Sequence, residues 1–151
     1  MTIHWSARKT GHIDWRTITQ AAVAYTLGVF VIAFSVGTIR VLLVAPRLGA
    51  LIAVILEAPI VLAVSWGVSL WCIRRFNVSR IFHTRILMGV IAFAILMLLE
   101  IGVSAWVFGE TVEHYLTKFG TAPGAVGLAM QICFALIPWA QCTLRSRISG
   151  T

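Results

Sequence analysis

A chain of 151 residues with a mean hydropathy of +0.95 has only 11% charged residues, against roughly 25% in soluble domains. That composition excludes an ordinary water-facing domain, because too few charges remain to keep a surface wet. The net charge of +7 would favour nucleic acid in a soluble protein, but here the basic residues flank apolar runs, where they set orientation and meet lipid head groups. Membrane lipids are therefore the expected partners, and no nucleic acid is.

Residues 1–18 form a mixed polar and aromatic segment on the cytoplasmic side or in the interface. Arg8, Lys9 and Arg16 precede the first apolar run, and Trp5 and Trp15 suit the head-group zone. A secretory signal also starts with basic residues, but this run is too long for one and lacks a small-residue cleavage site, so it reads as a retained helix. The transmembrane domain spans 19–143, with helices at about 19–44, 48–73, 86–108 and 122–142, and a tail over 144–151. Each run meets the roughly 20 residues needed to cross the hydrocarbon core.

The first helix is expected to stop before Pro46, since a residue preceding proline avoids helical geometry. Gly49 then closes a tight turn, APRLG. In the second helix Gly49, Ala53 and Glu57 recur every four residues and share a face on which a neighbour can approach closely. Pro59 deprives the Ile55 carbonyl of its donor and predicts a kink beside Glu57. Trp66 and Trp71 mark the far end, followed by a basic loop with Arg74, Arg75, Arg80, His83 and Arg85. Gly89, Phe93, Leu96 and Glu100 form a stripe on the third helix. Val112, Tyr115, Leu116 and Phe119 then repeat at the spacing of a short amphipathic helix lying in the interface. Gly124 and Gly127 open the fourth helix to close packing, Gln131 lies mid-span, and Pro138 predicts a second kink.

Nine basic residues, at 8, 9, 16, 74, 75, 80, 85, 145 and 147, fall on one side of this arrangement. Arg47 and Lys118 fall on the other. The positive-inside rule places both ends of the chain in the cytoplasm. The fold class is thus an all-α, polytopic four-helix transmembrane bundle, N-in and C-in, with a short interfacial helix in the outer loop between helices 3 and 4.

Charges inside spans are costly and carry the most information. Arg40 lies about five residues from the outer end of its helix. Glu57, Glu100 and Gln131 lie about nine residues in, roughly 13 Å at 1.5 Å per residue. This predicts one polar layer in which Arg40 bridges Glu57 and Glu100 and Gln131 completes the hydrogen bonds. The layer either fixes helix register or leaves one carboxylate for a proton, a cation or a polar ligand.

No catalytic residue, cofactor or metal is expected. Cys72, Cys133 and Cys142 form no C-x-x-C and read as small apolar residues. Glu110 and His114 stand four apart, but two ligands do not make a metal site. No histidine lies within a span to hold haem. No phosphate loop or nucleophile elbow is present.

The stretches GTIRVLLVAPRLGALIAVILEAPI, RILMG and FALIP, together with Glu100, resemble a group of uncharacterised bacterial four-helix inner-membrane proteins. The matching positions are Gly37, Arg40, Pro46, Arg47, Gly49, Glu57 and Pro59. The resemblance implies a fold and a membrane location and brings no activity. The expectation for function is a non-enzymatic accessory or structural component of a membrane complex. The alternative is a small oligomeric transporter or channel built on the Arg40–Glu57–Glu100 layer. An enzyme acting on lipid is disfavoured because no activated nucleophile is visible.

Overall fold

The computed structural model describes residues 14–79 and 81–148, and all its regular elements are helical. Trp5, Arg8, Lys9 and Arg80, and the side chains of Arg145 and Arg147, lie outside the described residues.

Helix α1 covers Trp15–Ile39, starting earlier than its hydropathy predicts. Asp14 caps it, accepting from the Thr17 amide and from the Thr17 hydroxyl at 2.6 Å. Such a cap satisfies a donor that the first turn leaves orphaned. The two hydrogen bonds from Thr17 hold the Asp14 carboxyl below its ordinary range.

The expected stop before Pro46 does not occur. A five-residue π-helical segment, Arg40–Val44, carries the chain into α2, Ala45–Leu48. The wider turn bonds the Ala45 amide to the Arg40 carbonyl, and Pro46 falls in the first turn of α2 directly after it. The helical run therefore extends over Trp15–Leu48, 34 residues, and the turn reduces to Gly49 at φ 81°, a conformation only glycine adopts freely.

Helix α3 spans Ala50–Arg75, continuous through Pro59. Helix α4 spans Phe82–Phe108 and ends on Gly109 at φ 65°. After the short α5, Val112–Thr117, a 3-10 turn, Lys118–Gly120, leads into α6, Ala122–Ile148, which contains Pro138. Four helices are long and apolar enough to cross a membrane, which is the make-up of an integral membrane protein.

The four long helices form a closed ring of neighbours: α1 on α3 and α4, and α6 on α3 and α4. The α4–α6 approach depends on Gly89, where a Cβ would run into the Ala135 carbonyl oxygen. The other predicted small-residue contacts fall elsewhere. Gly49 serves the turn, Gly124 sits against the Lys118 carbonyl, and Gly127 has open space where a Cβ would be.

Packing is uneven along the ring. At the Asn77 end Ile18, Ala21, Ala22, Tyr25, Cys72, Met88 and Ala92 form a sealed core. Beyond Val29, α1 buries nothing further. Polar groups tie this sealed half together: Thr26 donates to the Ala92 carbonyl at 3.1 Å, and Gln141 joins Ser69 to the Trp66 carbonyl. Arg85, counted above among the charges of the basic loop, is 5% exposed and donates to the carbonyls of Val78 and Ser79. It holds the loop shut instead of standing in solvent. Cys72 is buried in the core, whereas Cys133 is exposed on α6.

Candidate functional site

At the Gly49 end the ring is hollow. A cavity of about 720 Å³ is lined by all four long helices, the π segment, α5 and the 3-10 turn. Along α1 and the start of the π segment its wall runs from Val29 to Val41, a depth of about 18 Å at 1.5 Å per residue. Phe134 lines the bottom, and Tyr25 stacks beneath it with ring centroids 4.4 Å apart. The sealed core lies below that stack.

Arg40, Glu57, Glu100 and Gln131 all line this cavity, but they do not form one bridged network. Arg40 pairs with Glu57 alone, Nε to Oε2 at 2.6 Å. The Nε–H does not point along that line, so the contact is an ion pair without a well-aligned hydrogen bond. The π segment begins at Arg40, and Gly37 one turn earlier lies beside the carboxylate, where a Cβ would meet Glu57 Oε1 at an ordinary contact distance of 3.5 Å. Glu57 is 9% exposed and Arg40 27%. The pair sets a guanidinium donor directly against the carboxylate.

Glu100 is partnered differently. Its Oε2 accepts from the Tyr115 hydroxyl at 2.6 Å and from Gln131 Nε2 at 2.6 Å. No cation is paired with it among the described residues. Gln131 Oε1 is buried without a protein partner.

Tyr115 is the residue that sequence reasoning missed as part of the site. Its spacing placed it on the apolar stripe of the amphipathic helix. In the structure that stripe divides: Tyr115 and Phe119 turn into the cavity, their rings 5.3 Å apart, while Val112 and Leu116 stay exposed. The hydroxyl tip of a tyrosine was the available signal, since such a tip seeks a partner when buried. Burial and the hydrogen bond to Glu100 push the Tyr115 phenol above its ordinary range, so it remains a donor.

The segment carrying Tyr115 is tied down by Glu110, which accepts from Ser104 and from Lys118. These two bonds hold the Glu110 carboxyl below its usual range. His114 Nε2 lies 3.9 Å from Glu110 Oε1, so the candidate metal pair is engaged in this clasp. Among the described residues no three of His, Cys, Asp and Glu come together to hold a metal ion.

Pro46 and Gly49 make the passage from the π segment into α3, and Pro59 lies half a turn beyond Glu57 within α3. Pro138 lies one turn beyond Phe134 in α6. No protein-family model, curated protein or solved structure matches this chain, so its class rests on the four apolar helices and the lined hollow.

Proposed function

We propose that this is a four-span bundle of a bacterial inner membrane, with both ends of the chain cytoplasmic, that holds a ligand in the hollow at its outer end without catalysing a reaction. The observation that carries the reading is the contrast between the two halves of the ring. A brace made only for stability would be packed around its charges, whereas here charged groups from three helices face about 720 Å³ of space. Binding pockets for drug-sized ligands fall in the same range of volume. Arg74, Arg75 and Arg16 at the Asn77 end, against Arg47 and Lys118 at the Gly49 end, support the orientation. On that reading α5 lies in the outer interface.

Of the two functions that suit such a protein, a small transporter working as an oligomer uses this hollow directly. The sealed floor under Phe134 weighs against a continuously open channel and favours a site reached from one side at a time. The second reading, an accessory component of a larger membrane complex, is favoured by the Arg40–Glu57 pair, which satisfies both charges within the chain.

Cysteine labelling tests both orientation and access. In a background with Cys72, Cys133 and Cys142 replaced by alanine, Glu113→Cys should react with an impermeant maleimide in intact cells and Ser79→Cys only after permeabilisation. The reverse pattern would invert the topology. Gly127→Cys, whose side chain would enter the hollow, should react from outside. A Gly127→Cys protein that stays unlabelled while Glu113→Cys is labelled would end the ligand-holding reading.

A further inference from the structure

We propose that Glu100 is an exchange site in the hollow, where a proton and a lipophilic organic cation bind in turn; this rests on the ligand-holding reading above and names its ligand class. The two carboxylates of the cavity differ in the chemistry of their partners. Glu57 faces Arg40, whose guanidinium can only donate and so offers a protonated carboxyl no acceptor. Glu100 faces Tyr115 and Gln131. A phenol both donates and accepts, and a glutamine side chain can present either its amide nitrogen or its carbonyl oxygen. Those partners serve a carboxylate as donors and a carboxylic acid as acceptors. Glu100 can therefore change protonation state with its hydrogen bonds kept.

Every other charge on the cavity wall is already matched. Arg40 from the π segment is matched by Glu57 of α3, and Lys118 from the 3-10 turn by Glu110. Among the described residues, Glu100 of α4 is hydrogen-bonded by the neutral Tyr115 from α5 and Gln131 from α6 and paired with no cation. An ionised carboxylate in that setting calls for a positive charge that none of the described residues supplies. The wall then selects which cation. A calcium or magnesium ion demands six or more oxygen ligands or several retained waters, whereas the described residues hydrogen-bonded to Glu100 are Gln131 and Tyr115, and no three of His, Cys, Asp and Glu come together among the described residues for a softer metal. The remaining lining is apolar, with Phe30, Phe34, Phe119 and Phe134 among it. Aromatic faces attract organic cations, and apolar walls accept their carbon surface. The exchange is balanced: as the cation arrives, Glu100 releases its proton to solvent, and the carboxylate left behind neutralises the cation.

Tetraphenylphosphonium is a suitable probe, used with the full-length protein in lipid nanodiscs. Wild type should bind it with release of about one proton per cation in weakly buffered solution. Its affinity should fall about tenfold per pH unit on the acid side of the Glu100 titration, as one-for-one linkage requires. Glu100→Gln should lose binding, while Glu113→Gln, which removes an exposed acid, should keep it. Binding without proton release, or binding that survives Glu100→Gln, would overturn the proposal, and the proton measurement on wild type decides even if Glu100→Gln fails to fold. If tetraphenylborate or a phospholipid occupies the hollow and tetraphenylphosphonium does not, the ligand class is wrong but the hollow still holds ligands. If Gly127→Cys is also inaccessible, the ligand-holding reading falls with it.

Discussion

Tyr25 donates its hydroxyl to the carbonyl oxygen of Phe134 at 2.9 Å, and that carbonyl is the one deprived of its usual helical donor by Pro138. A side chain from α1 thus repairs a break in the backbone of α6, across the diagonal of the ring. The same tyrosine ring stacks on Phe134 and closes the floor of the hollow. Tyr25→Phe keeps the stack and loses the hydrogen bond, and should cost about 1 kcal/mol. Pro138→Ala returns an N–H to the helix, so Tyr25→Phe should cost close to nothing in that background. Denaturant titration of the four proteins in mixed micelles measures the cycle. Equal losses in both backgrounds would show that the proline and the tyrosine act independently.

The two glutamates should respond differently to neutralisation. Glu57→Gln or Arg40→Gln alone leaves a charge without its partner. Either should destabilise toward the lower end of the about 3–5 kcal/mol that breaking a buried pair costs, since Arg40 retains 27% exposure. The double variant should recover most of that loss. Glu100→Gln breaks no ion pair and should fold near wild-type level, because glutamine still accepts from Tyr115. Thermal unfolding in detergent compares them. A Glu100→Gln loss as large as that of Glu57→Gln, recovered by Arg40→Gln, would restore the single bridged layer that residue depth alone predicts.

Gly89→Ala should separate α4 from α6, because the new Cβ meets a backbone carbonyl that no rotamer change can move. The cost should be about 1–3 kcal/mol, as for overpacking elsewhere. Gly102→Ala on the same helix meets nothing within 4 Å and should be silent. Folded yield and melting temperature of the two variants provide the check, and equal behaviour would remove Gly89 from the interface.

The clasp at Glu110 should carry a pH signature. Its carboxyl is depressed below the ordinary 4.5 by hydrogen bonds from Lys118 and Ser104. A depressed group contributes stability that is fully present above its unfolded value and is lost as pH falls through the lowered folded value. Amide exchange over residues 110–120 should therefore be slow at neutral pH and hold until the medium is more acidic than an ordinary carboxylate requires. Glu110→Gln should abolish that acid dependence. Protection that fades already at the ordinary value would indicate that the clasp does not form in the membrane.

Much of the frame is legible along the chain. Four apolar runs of spanning length read directly as helices, because in lipid every backbone polar group must be satisfied within its own helix. The positions of Arg40, Glu57, Glu100 and Gln131 in those runs read as polar groups towards the same end of the bundle, because rise per residue is constant. Local chemistry was harder to read where a longer range intervened. Pro46 reads as a helix stop, yet Arg40–Val44 widen into a π turn and the helix continues to Leu48. Arg85 looked like a loop charge, yet it folds back onto the loop carbonyls.

By itself the sequence determined the number of helices long and apolar enough to span and the charged groups that fall within them, since both depend on composition and spacing within single helices. Only the tertiary structure decided which charge meets which. The ring order and the inward turn of α5 bring Tyr115 to Glu100 and leave Arg40 to Glu57. It also decided that one half of the ring is packed and the other hollow. Side-chain volumes from four helices must sum across the ring at each level, and no single helix carries that sum in its own sequence.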